Sequence, residues 1–359
     1  MSKIKIAIIG LAHMHISMLS RSLAQYPDEA EFIGWADVPP MDGQGLDKRA
    51  EALGDLRKNV PYFADWRELA ALKPDLALCC PDNAASGDVA CYLLERGIHV
   101  VLEKPMTIDY ADAIRVRDAA EKSGCILAVN WPIAWFPTFN KAKELCDAGR
   151  IGEIMRVIYR SPATWGPFSY SKDGSLPPID EMAETWWYQP ERGGGSILDY
   201  ACYGAALSTW FFGRQAERVW GIKHNFMLPG LDCEDFSAML LDFGCGIGQL
   251  EGSWSTYNSG QVPSGPVIHG KEGTIVCDRH SNQVKVYLGR SHASAAPSEV
   301  IDCPVSVSGL NFGRNILDAI VKGAALHPLL EPALNVSVMA ALDAGRWSAE
   351  QGGVATEKL

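Results

Sequence analysis

The first 130 residues alternate short apolar runs with segments whose apolar side chains recur at helical spacing. The run Ile4 to Ile9 is typical of a β-strand, Met14 to Gln25 of a helix and Glu31 to Asp37 of a second strand. This alternation predicts βαβ units and therefore a doubly wound parallel sheet of the α/β Rossmann type. The same pattern predicts strands at Leu76 to Cys80, His99 to Leu102 and Ile126 to Val129, and helices near Ala84 to Arg96 and Tyr110 to Lys122.

After about residue 130 the pattern changes to closely spaced strand candidates joined by turns rich in Gly and Asn. Such spacing favours a large, mainly antiparallel sheet in an α+β domain. We therefore predict a dinucleotide-binding Rossmann domain over residues 1–130 and a substrate-binding and dimerisation domain over 131–359. The predicted strands are 154–160, 217–225, 237–242, 246–254, 274–277 and 284–288, and the predicted helices are 138–148, 196–212, 312–322 and 332–350.

Composition narrows the possible partners. Hydrophobic residues make up 47% and charged residues 21% of the 359 residues, as in ordinary globular proteins. The formal net charge is -11, so nucleic acid and anionic membranes would be repelled. No apolar run approaches the roughly 20 residues that span a bilayer, and the ten cysteines form no CxxC pair. We expect a soluble cytoplasmic protein that acts on a small molecule.

A dinucleotide-binding loop is predicted directly after the first strand. Gly10-Leu11-Ala12-His13-Met14-His15 lies between a strand and a helix, where backbone N–H groups and a helix N-terminus receive a pyrophosphate. Gly10 supplies the tight turn, but Ala12 and His15 stand where G-x-G-x-x-G has its second and third glycines. An ordinary strand-to-helix turn is the alternative.

The end of the second strand bears on cofactor choice. Asp37 stands where a carboxylate hydrogen-bonds an adenosine ribose, and its charge would oppose a 2'-phosphate. Since Val38, Pro39 and Pro40 offer no cation, the sequence favours NAD over NADP. The alternative for Asp37 is a strand-end aspartate that opens a turn.

The histidines of the loop raise the question of a metal. His13 and His15 have no cysteine or carboxylate cluster beside them in the sequence, so they are incomplete as a metal site and we predict no bound metal.

A catalytic motif follows the strand at His99 to Leu102. Glu103-Lys104-Pro105 places an acid and a base at the carboxyl edge of a parallel sheet, where open α/β sheets bind ligands. With this motif the chain resembles the Gfo/Idh/MocA oxidoreductases over nearly its whole length. Supporting motifs are Leu78-Cys79-Cys80-Pro81-Asp82-Asn83, Gly149-Arg150-Ile151-Gly152-Glu153-Ile154 and Gly193-Gly194-Gly195-Ser196-Ile197-Leu198-Asp199.

The resemblance implies both a fold and a set of site residues. It implies cofactor contacts from Gly10, Leu11, Ala12, His13, Met14, Asp37, Cys80, Pro81, Asp82, Glu103 and Lys104. Three positions depart from the family: Cys80 replaces a common threonine, Ser86 a common histidine and Trp135 a common arginine. These departures affect individual contacts and leave the fold expectation unchanged.

The family's D-x-x-x-H pair appears in this chain as Asp199 and Tyr203. A spacing of four puts both side chains on one face of a helix. Tyrosine resembles the glucose-fructose oxidoreductase and dihydrodiol dehydrogenase branches, and implies that Tyr203 carries the proton. A free phenol titrates near about 10, so it needs a neighbouring cation, for which Lys104 is the candidate. The alternative is an acidic first helical turn and a core aromatic.

The resulting functional prediction is an NAD(P)-dependent hydride transfer at a secondary alcohol or ketone of a polyhydroxylated small molecule. Lys104, Asp199 and Tyr203 would be catalytic, and a homodimer or homotetramer is expected. Two alternatives remain open: an NAD-retaining glycoside hydrolase or lyase, and a non-catalytic sugar or dinucleotide sensor. Aromatic side chains that would stack on the sugar, or else belong to the core or the dimer contact, are Trp131, Trp135, Trp165 and Trp187.

Overall fold

Thirteen strands and eleven α-helices are found in a computed structural model that describes residues 2–39, 45–163, 166, 178–290, 296–305, 311–357 and 359. They divide into two units, each with its own sheet. The first contains Met1–Trp131, Pro178–Gly194 and Leu310–Met339, and the second Pro132–Pro177, Gly195–Gly309 and Ala340–Leu359. The domain boundary at residues 130 and 131 stays a prediction.

The strands, in chain order, fall into one sheet per unit. Their bounds are β1 Ile4–Ile9, β2 Ala30–Ala36, β3 Leu76–Cys79, β4 His99–Glu103, β5 Leu127–Asn130, β6 Ile154–Pro162, β7 Arg218–His224, β8 Phe236–Asp242, β9 Ile247–Ser253, β10 Val267–Gly270, β11 Gly273–Asp278, β12 Gln283–Leu288 and β13 Glu299–Asp302.

The α-helices are mostly longer than the strands, apart from a few single turns. Their bounds are α1 Ile16–Ala24, α2 Gly45–Ala50, α3 Leu56–Asn59, α4 Trp66–Ala71, α5 Asn83–Leu94, α6 Tyr110–Ser123, α7 Pro137–Asp147, α8 Ile179–Ala183, α9 Cys202–Phe212, α10 Phe312–Lys322 and α11 Pro332–Glu350.

The sheet of the first unit is parallel throughout, in the order β2-β1-β3-β4-β5. Ile6 to Ile9 are fully buried, as expected for a central strand covered by helices on both faces. Helices α4, α5 and α6 begin with aspartate caps, since Asp65 accepts a hydrogen bond from Arg67 N, Asp82 one from Ala85 N and Asp109 one from Asp112 N. The predicted doubly wound architecture is confirmed.

The predictions missed α2, α3, α4 and α8 because these helices have only four to six residues, too few for an apolar period to show. Helix α1 also begins later than predicted, at Ile16, because His13 to His15 form a turn before it.

The sheet of the second unit has eight strands in the order β13-β12-β11-β10-β6-β9-β8-β7. All neighbours are antiparallel except β6 and β9, which run parallel. Helix α9 packs closely on it, since a Cβ at Gly204 would lie 2.5 Å from Leu250 Cβ. The mainly antiparallel α+β prediction is confirmed, although the four-residue strands β10 and β13 were missed.

Among the described residues, no helix has the length and apolarity needed to cross a bilayer.

Candidate cofactor and catalytic sites

The turn after β1 requires glycine at position 10. Gly10 has φ +87°, and a Cβ there would lie 2.5 Å from Pro81 N and 2.7 Å from Cys80 C. No L side chain fits so close to backbone in this left-handed conformation. The turn therefore brings Gly10, Cys80 and Pro81 together, as the cofactor prediction requires.

The amides of this turn are largely used inside the protein. Gly10 N donates to Ala36 O, Leu11 N to Asp37 Oδ1 and Ala12 N to Cys80 O, at 2.8 to 2.9 Å. These three N–H groups fix the loop against β2 and β3 and do not point at a phosphate. The expectation that these three groups receive the pyrophosphate is corrected accordingly, and a role for the start of α1 stays a prediction.

Asp37 is held by three donors and paired with a cation that the sequence interpretation overlooked. Its Oδ1 accepts from Leu11 N and Val38 N, each at 2.9 Å, and its Oδ2 accepts from Arg49 Nε at 2.8 Å. The Asp37 and Arg49 side chains are only 3% and 5% exposed. Arg49 comes from α2, twelve residues along the chain, so the argument that no cation lies near Asp37 is wrong.

A hydrogen-bonded chain joins the loop to the Glu-Lys-Pro motif. His15 Nδ1 lies 2.7 Å from Glu103 Oε1, and Asn130 Nδ2 donates to Glu103 Oε2 at 2.8 Å. Lys104 is buried next to Glu103 at the end of β4. Glu103 thus orients loop and motif together, a role that sequence spacing does not reveal.

His13 is buried and neutral. Burial, and then electrostatic effects of His15 and Lys104, hold the pKa of His13 well below its usual value. Its Nδ1 accepts from His15 N at 3.1 Å, and its ring lies edge-on to Trp187 at 4.8 Å between centroids. Because Nδ1 is an acceptor, the proton of the neutral ring is on Nε2.

His13, His15 and Glu103 also form the kind of donor set that binds a metal, with ligand atoms within 4.8 Å of one another. A carboxylate therefore does lie beside the two histidines, contrary to the sequence interpretation. However, a ligating histidine normally donates its second ring N–H, whereas His13 Nδ1 accepts one. The nearby charge of Lys104 also opposes a cation. No bound metal remains our prediction.

A later segment of the first unit is fixed to the cofactor loops. Arg192 Nε donates to Asp82 Oδ2 at 2.6 Å, and Asn83 Nδ2 donates to Gly193 O at 2.8 Å. Trp186 Nε1 donates to Ala12 O at 3.1 Å. Trp186, Arg192 and Gly193 therefore border the loops after β1 and β3, and no motif pointed to the contact of Arg192 with Asp82.

The predicted sugar-stacking tryptophans differ in environment. Trp131 is fully buried and donates to Asn335 Oδ1 at 2.7 Å, so it has no open ring face and we correct its assignment to a core role. Trp187 is also buried, stacked on Trp186 at 4.0 Å. Trp135 is half-buried and stays a candidate, and Trp165 lies outside the described residues.

Cys80 and Met14 complete the predicted cofactor residues of this unit. Burial, reinforced by the charge of Glu103, raises the pKa of the Cys80 thiol, so it stays protonated and contributes packing and its carbonyl. Met14, by contrast, is 41% exposed.

In the second unit, Asp199 and Tyr203 lie at the beginning of one helical segment. Ile197–Ala201 forms a π-helical turn that continues into α9. Asp199 Oδ2 accepts from Trp254 Nε1 at 3.1 Å, and Tyr203 is half-buried in an otherwise mostly buried helix. The wider turn changes the angular offset that α-helical spacing predicts between the two, and such turns are frequent at functional sites.

Glu234 was not predicted as a site residue, although its side chain contacts the start of the same helical segment. Its Oε1 accepts from Ile197 N at 2.9 Å. It belongs to the β7–β8 connection, where no motif marks it. Only the pairing of these strands carries it to the helical segment.

Two family models match the chain. Residues 4–131 match the oxidoreductase family with an NAD-binding Rossmann fold, and residues 139–276 match the GFO/IDH/MocA C-terminal domain. Together they cover most of the sequence. The chain belongs to the GFO/IDH/MocA oxidoreductase family, which confirms the resemblance drawn from its motifs.

Relatives within the family act on varied sugars and diols. A dTDP-3,4-didehydro-2,6-dideoxy-alpha-D-glucose 3-reductase of Streptomyces violaceoruber is 27% identical over 52% of this chain and 49% of its own length. A trans-1,2-dihydrobenzene-1,2-diol dehydrogenase of Xenopus laevis is 22% identical over 68% and 69%. The chain thus spans about half the length of the first of these relatives.

The fold has counterparts among solved structures. A levoglucosan dehydrogenase in complex with NADH superimposes with a TM-score of 0.78 over 99% of both chains, at 18% identity. That likeness establishes the shared fold.

Proposed function

We propose that this protein is an NAD-dependent dehydrogenase or reductase that interconverts a secondary alcohol and a ketone on a sugar, polyol or related small molecule. The observation that carries the proposal is the glycine turn at Gly10, packed on Cys80 and Pro81 and linked through His15 and Glu103 to the motif that holds Lys104. Family membership supports it, and several relatives are sugar or inositol dehydrogenases.

Each residue of the proposed catalytic site has a separate role. A bound nicotinamide supplies the hydride acceptor or donor. Tyr203 takes or returns the hydroxyl proton, Lys104 polarises the reacting oxygen, and Asp199 orients the substrate by hydrogen bonding. Trp135 is proposed to contact the C–H face of the sugar.

NAD is the proposed cofactor, and NADP the weaker one. Asp37 supports this choice because a carboxylate at the end of β2 accepts a hydrogen bond from a ribose hydroxyl. The ion pair with Arg49 offsets part of the Asp37 charge and so reduces the preference for NAD over NADP. We expect at least about a tenfold preference for NAD, equal to about 1.4 kcal/mol.

The test combines a substrate panel with matched variants. Wild-type protein is incubated with NAD and myo-inositol, D-xylose, D-glucose, levoglucosan or p-nitrophenyl glycosides, while NADH and released nitrophenol are followed. Tyr203→Phe and Lys104→Met should each lower kcat about 10² to 10⁴-fold with little change in NAD affinity. If the two act as one unit, the double variant should be scarcely worse than either.

Three results would contradict the proposal. Release of nitrophenol without net NADH would indicate the NAD-retaining reaction. Absence of both reactions, with a biological effect that survives Lys104→Met, would indicate a sensor. A Tyr203→Phe enzyme within about threefold of wild type would remove Tyr203 from the proton transfer.

We also propose a homodimer, or a tetramer built from dimers, in the cytoplasm. The sheet of the second unit carries α9 on one face, while Ile222 and Leu240 on the other are 48% and 44% exposed. A second copy of the chain would cover that apolar face. All ten cysteines are free thiols, which supports a reducing compartment.

A further inference from the structure

Glu234 occupies a position that the proposed mechanism leaves unused. Its carboxylate lies at the beginning of the segment that carries Asp199 and Tyr203, where Oε1 accepts from Ile197 N at 2.9 Å. Ser196 N also donates to Glu234 O at 3.1 Å. Side chain and backbone of Glu234 together therefore fix this residue to the first turn of the candidate catalytic segment.

The sequence leaves room for this carboxylate by placing glycine opposite it. A Cβ at Gly195 would lie 2.5 Å from Glu234 Oε1 and 2.8 Å from Oε2, and Gly195 has φ +105°. The last glycine of the triple-glycine motif thus has two reasons to be glycine, its backbone conformation and the approach of Glu234. The triple-glycine motif therefore leaves space for the Glu234 carboxylate.

The Glu234 carboxylate is held by backbone donors alone within the described part of the chain. Among the described residues no side chain hydrogen-bonds it, and its contacts are the backbone amides of Ile197 and of Glu234 itself. The side chain is half-buried, so part of it stays accessible. An ionised carboxylate has about four acceptor sites, so the two amides leave capacity for a hydrogen bond from a ligand.

We propose that Glu234 is a substrate-binding residue whose carboxylate accepts a hydrogen bond from a substrate hydroxyl other than the one that is oxidised. The inference rests on the proposed function and narrows its substrate class to molecules with at least two hydroxyl groups. Tyr203 exchanges the proton of the reacting hydroxyl and Asp199 orients the substrate, while Glu234 binds a hydroxyl group next to the reacting one.

The ionisation of Glu234 is set by groups from several elements. Burial raises its pKa above the ordinary carboxyl value, against the opposing effect of the Ile197 amide. Lys223 on β7 and Arg346 on α11 also lower it, but less. Asp232 and Asp235 are the acids beside it on the same loop. Only the ionised form accepts a hydroxyl proton through both oxygens, so substrate affinity should rise with pH through this raised pKa.

The test compares Glu234→Gln and Glu234→Ala with Asp232→Asn, an exposed acid of the same loop. Glutamine keeps an oxygen for Ile197 N but loses the charge. With the polyol that gives the fastest NADH formation in the panel, Glu234→Gln should raise KM about tenfold or more, because a hydrogen bond to a charged group is lost. Its kcat should change less, and the pH dependence of KM should disappear. Asp232→Asn should match wild type.

A deoxy analogue of that polyol, lacking the hydroxyl next to the oxidised carbon, tests whether this hydroxyl interacts directly with Glu234. Wild type should lose affinity for the analogue, whereas Glu234→Gln should hardly distinguish the two. If Glu234→Gln equals wild type and only Glu234→Ala is impaired, Glu234 merely caps the helical segment and the proposal is overturned. Unchanged KM in both variants overturns it as well.

A separate binding measurement distinguishes this proposal from the proposed function. Thermal shifts are recorded for wild type and Glu234→Gln with myo-inositol, D-xylose, D-glucose and levoglucosan. If wild type oxidises none of them, the proposed function fails on this panel. A polyol that stabilises wild type and not Glu234→Gln still supports the Glu234 site, and equal shifts in both proteins refute it.

Discussion

The ion pair between Asp37 and Arg49 gives the most sharply defined perturbation of the first unit. Arg49→Met keeps an unbranched side chain of similar length but removes the guanidinium that donates to Asp37 Oδ2 at 2.8 Å. Both side chains are at most 5% exposed, so water cannot replace the lost cation. Removing one partner of a buried pair costs about 3 to 5 kcal/mol. Because two amides still hold Oδ1, we expect the lower end, about 3 kcal/mol.

Urea unfolding followed by circular dichroism measures this loss. Arg57→Met is the matched control, since Arg57 pairs with Asp47, whose side chain is 94% exposed. An exposed pair contributes about 0 to 1 kcal/mol. Equal losses for the two variants, or a loss below about 1 kcal/mol for Arg49→Met, would refute the reasoning from burial.

The same pair predicts a change in cofactor preference. Arg49→Met leaves the Asp37 charge uncompensated and should raise the preference for NAD over NADP about tenfold, or 1.4 kcal/mol. Asp37→Asn leaves Arg49 uncompensated and should shift the preference toward NADP by a similar factor. Isothermal titration with both cofactors measures the ratio. Ratios that stay at the wild-type value in both variants would place the adenosine ribose away from Asp37.

Three further predictions concern backbone, pH and assembly. Gly10→Ala should lower unfolding free energy by about 1 to 3 kcal/mol more than Gly97→Ala, because both have positive φ but only Gly10 faces backbone within 4 Å; equal losses in urea would refute the close approach. Burial lowers the pKa of His327 to about 4, so the unfolded chain takes up the proton first and stability falls from about pH 6.5 toward 4, by about 2 kcal/mol at pH 5; His327→Gln should flatten this part of the profile, and an unchanged profile would contradict it. Leu240→Asp or Ile222→Asp should convert the dimer to monomer in light scattering, whereas a dimer that persists in both would locate the interface elsewhere.

The local pattern of the sequence determined most of the first sheet. β1 and the helices α10 and α11 lie where apolar spacing predicted them, and β4 differs by one residue. Gly10 and the Glu-Lys-Pro motif can also be recognised from the sequence, because each depends on residues adjacent in the chain. Such features follow from periodicities and turn requirements that act over a few residues.

Contacts between distant residues were decided only by the tertiary structure. Arg49 reaches Asp37, Glu103 reaches His15 across 88 positions, and Glu234 reaches Ile197 across 37. Trp131 became a core residue through Asn335, which is 204 positions away. The parallel pairing of β6 with β9 likewise has no local signal. The sequence by itself determined which segments are strands, helices and tight turns, since these depend on neighbours. Which charges meet and which aromatic rings are covered depends on how the strands are ordered in the two sheets.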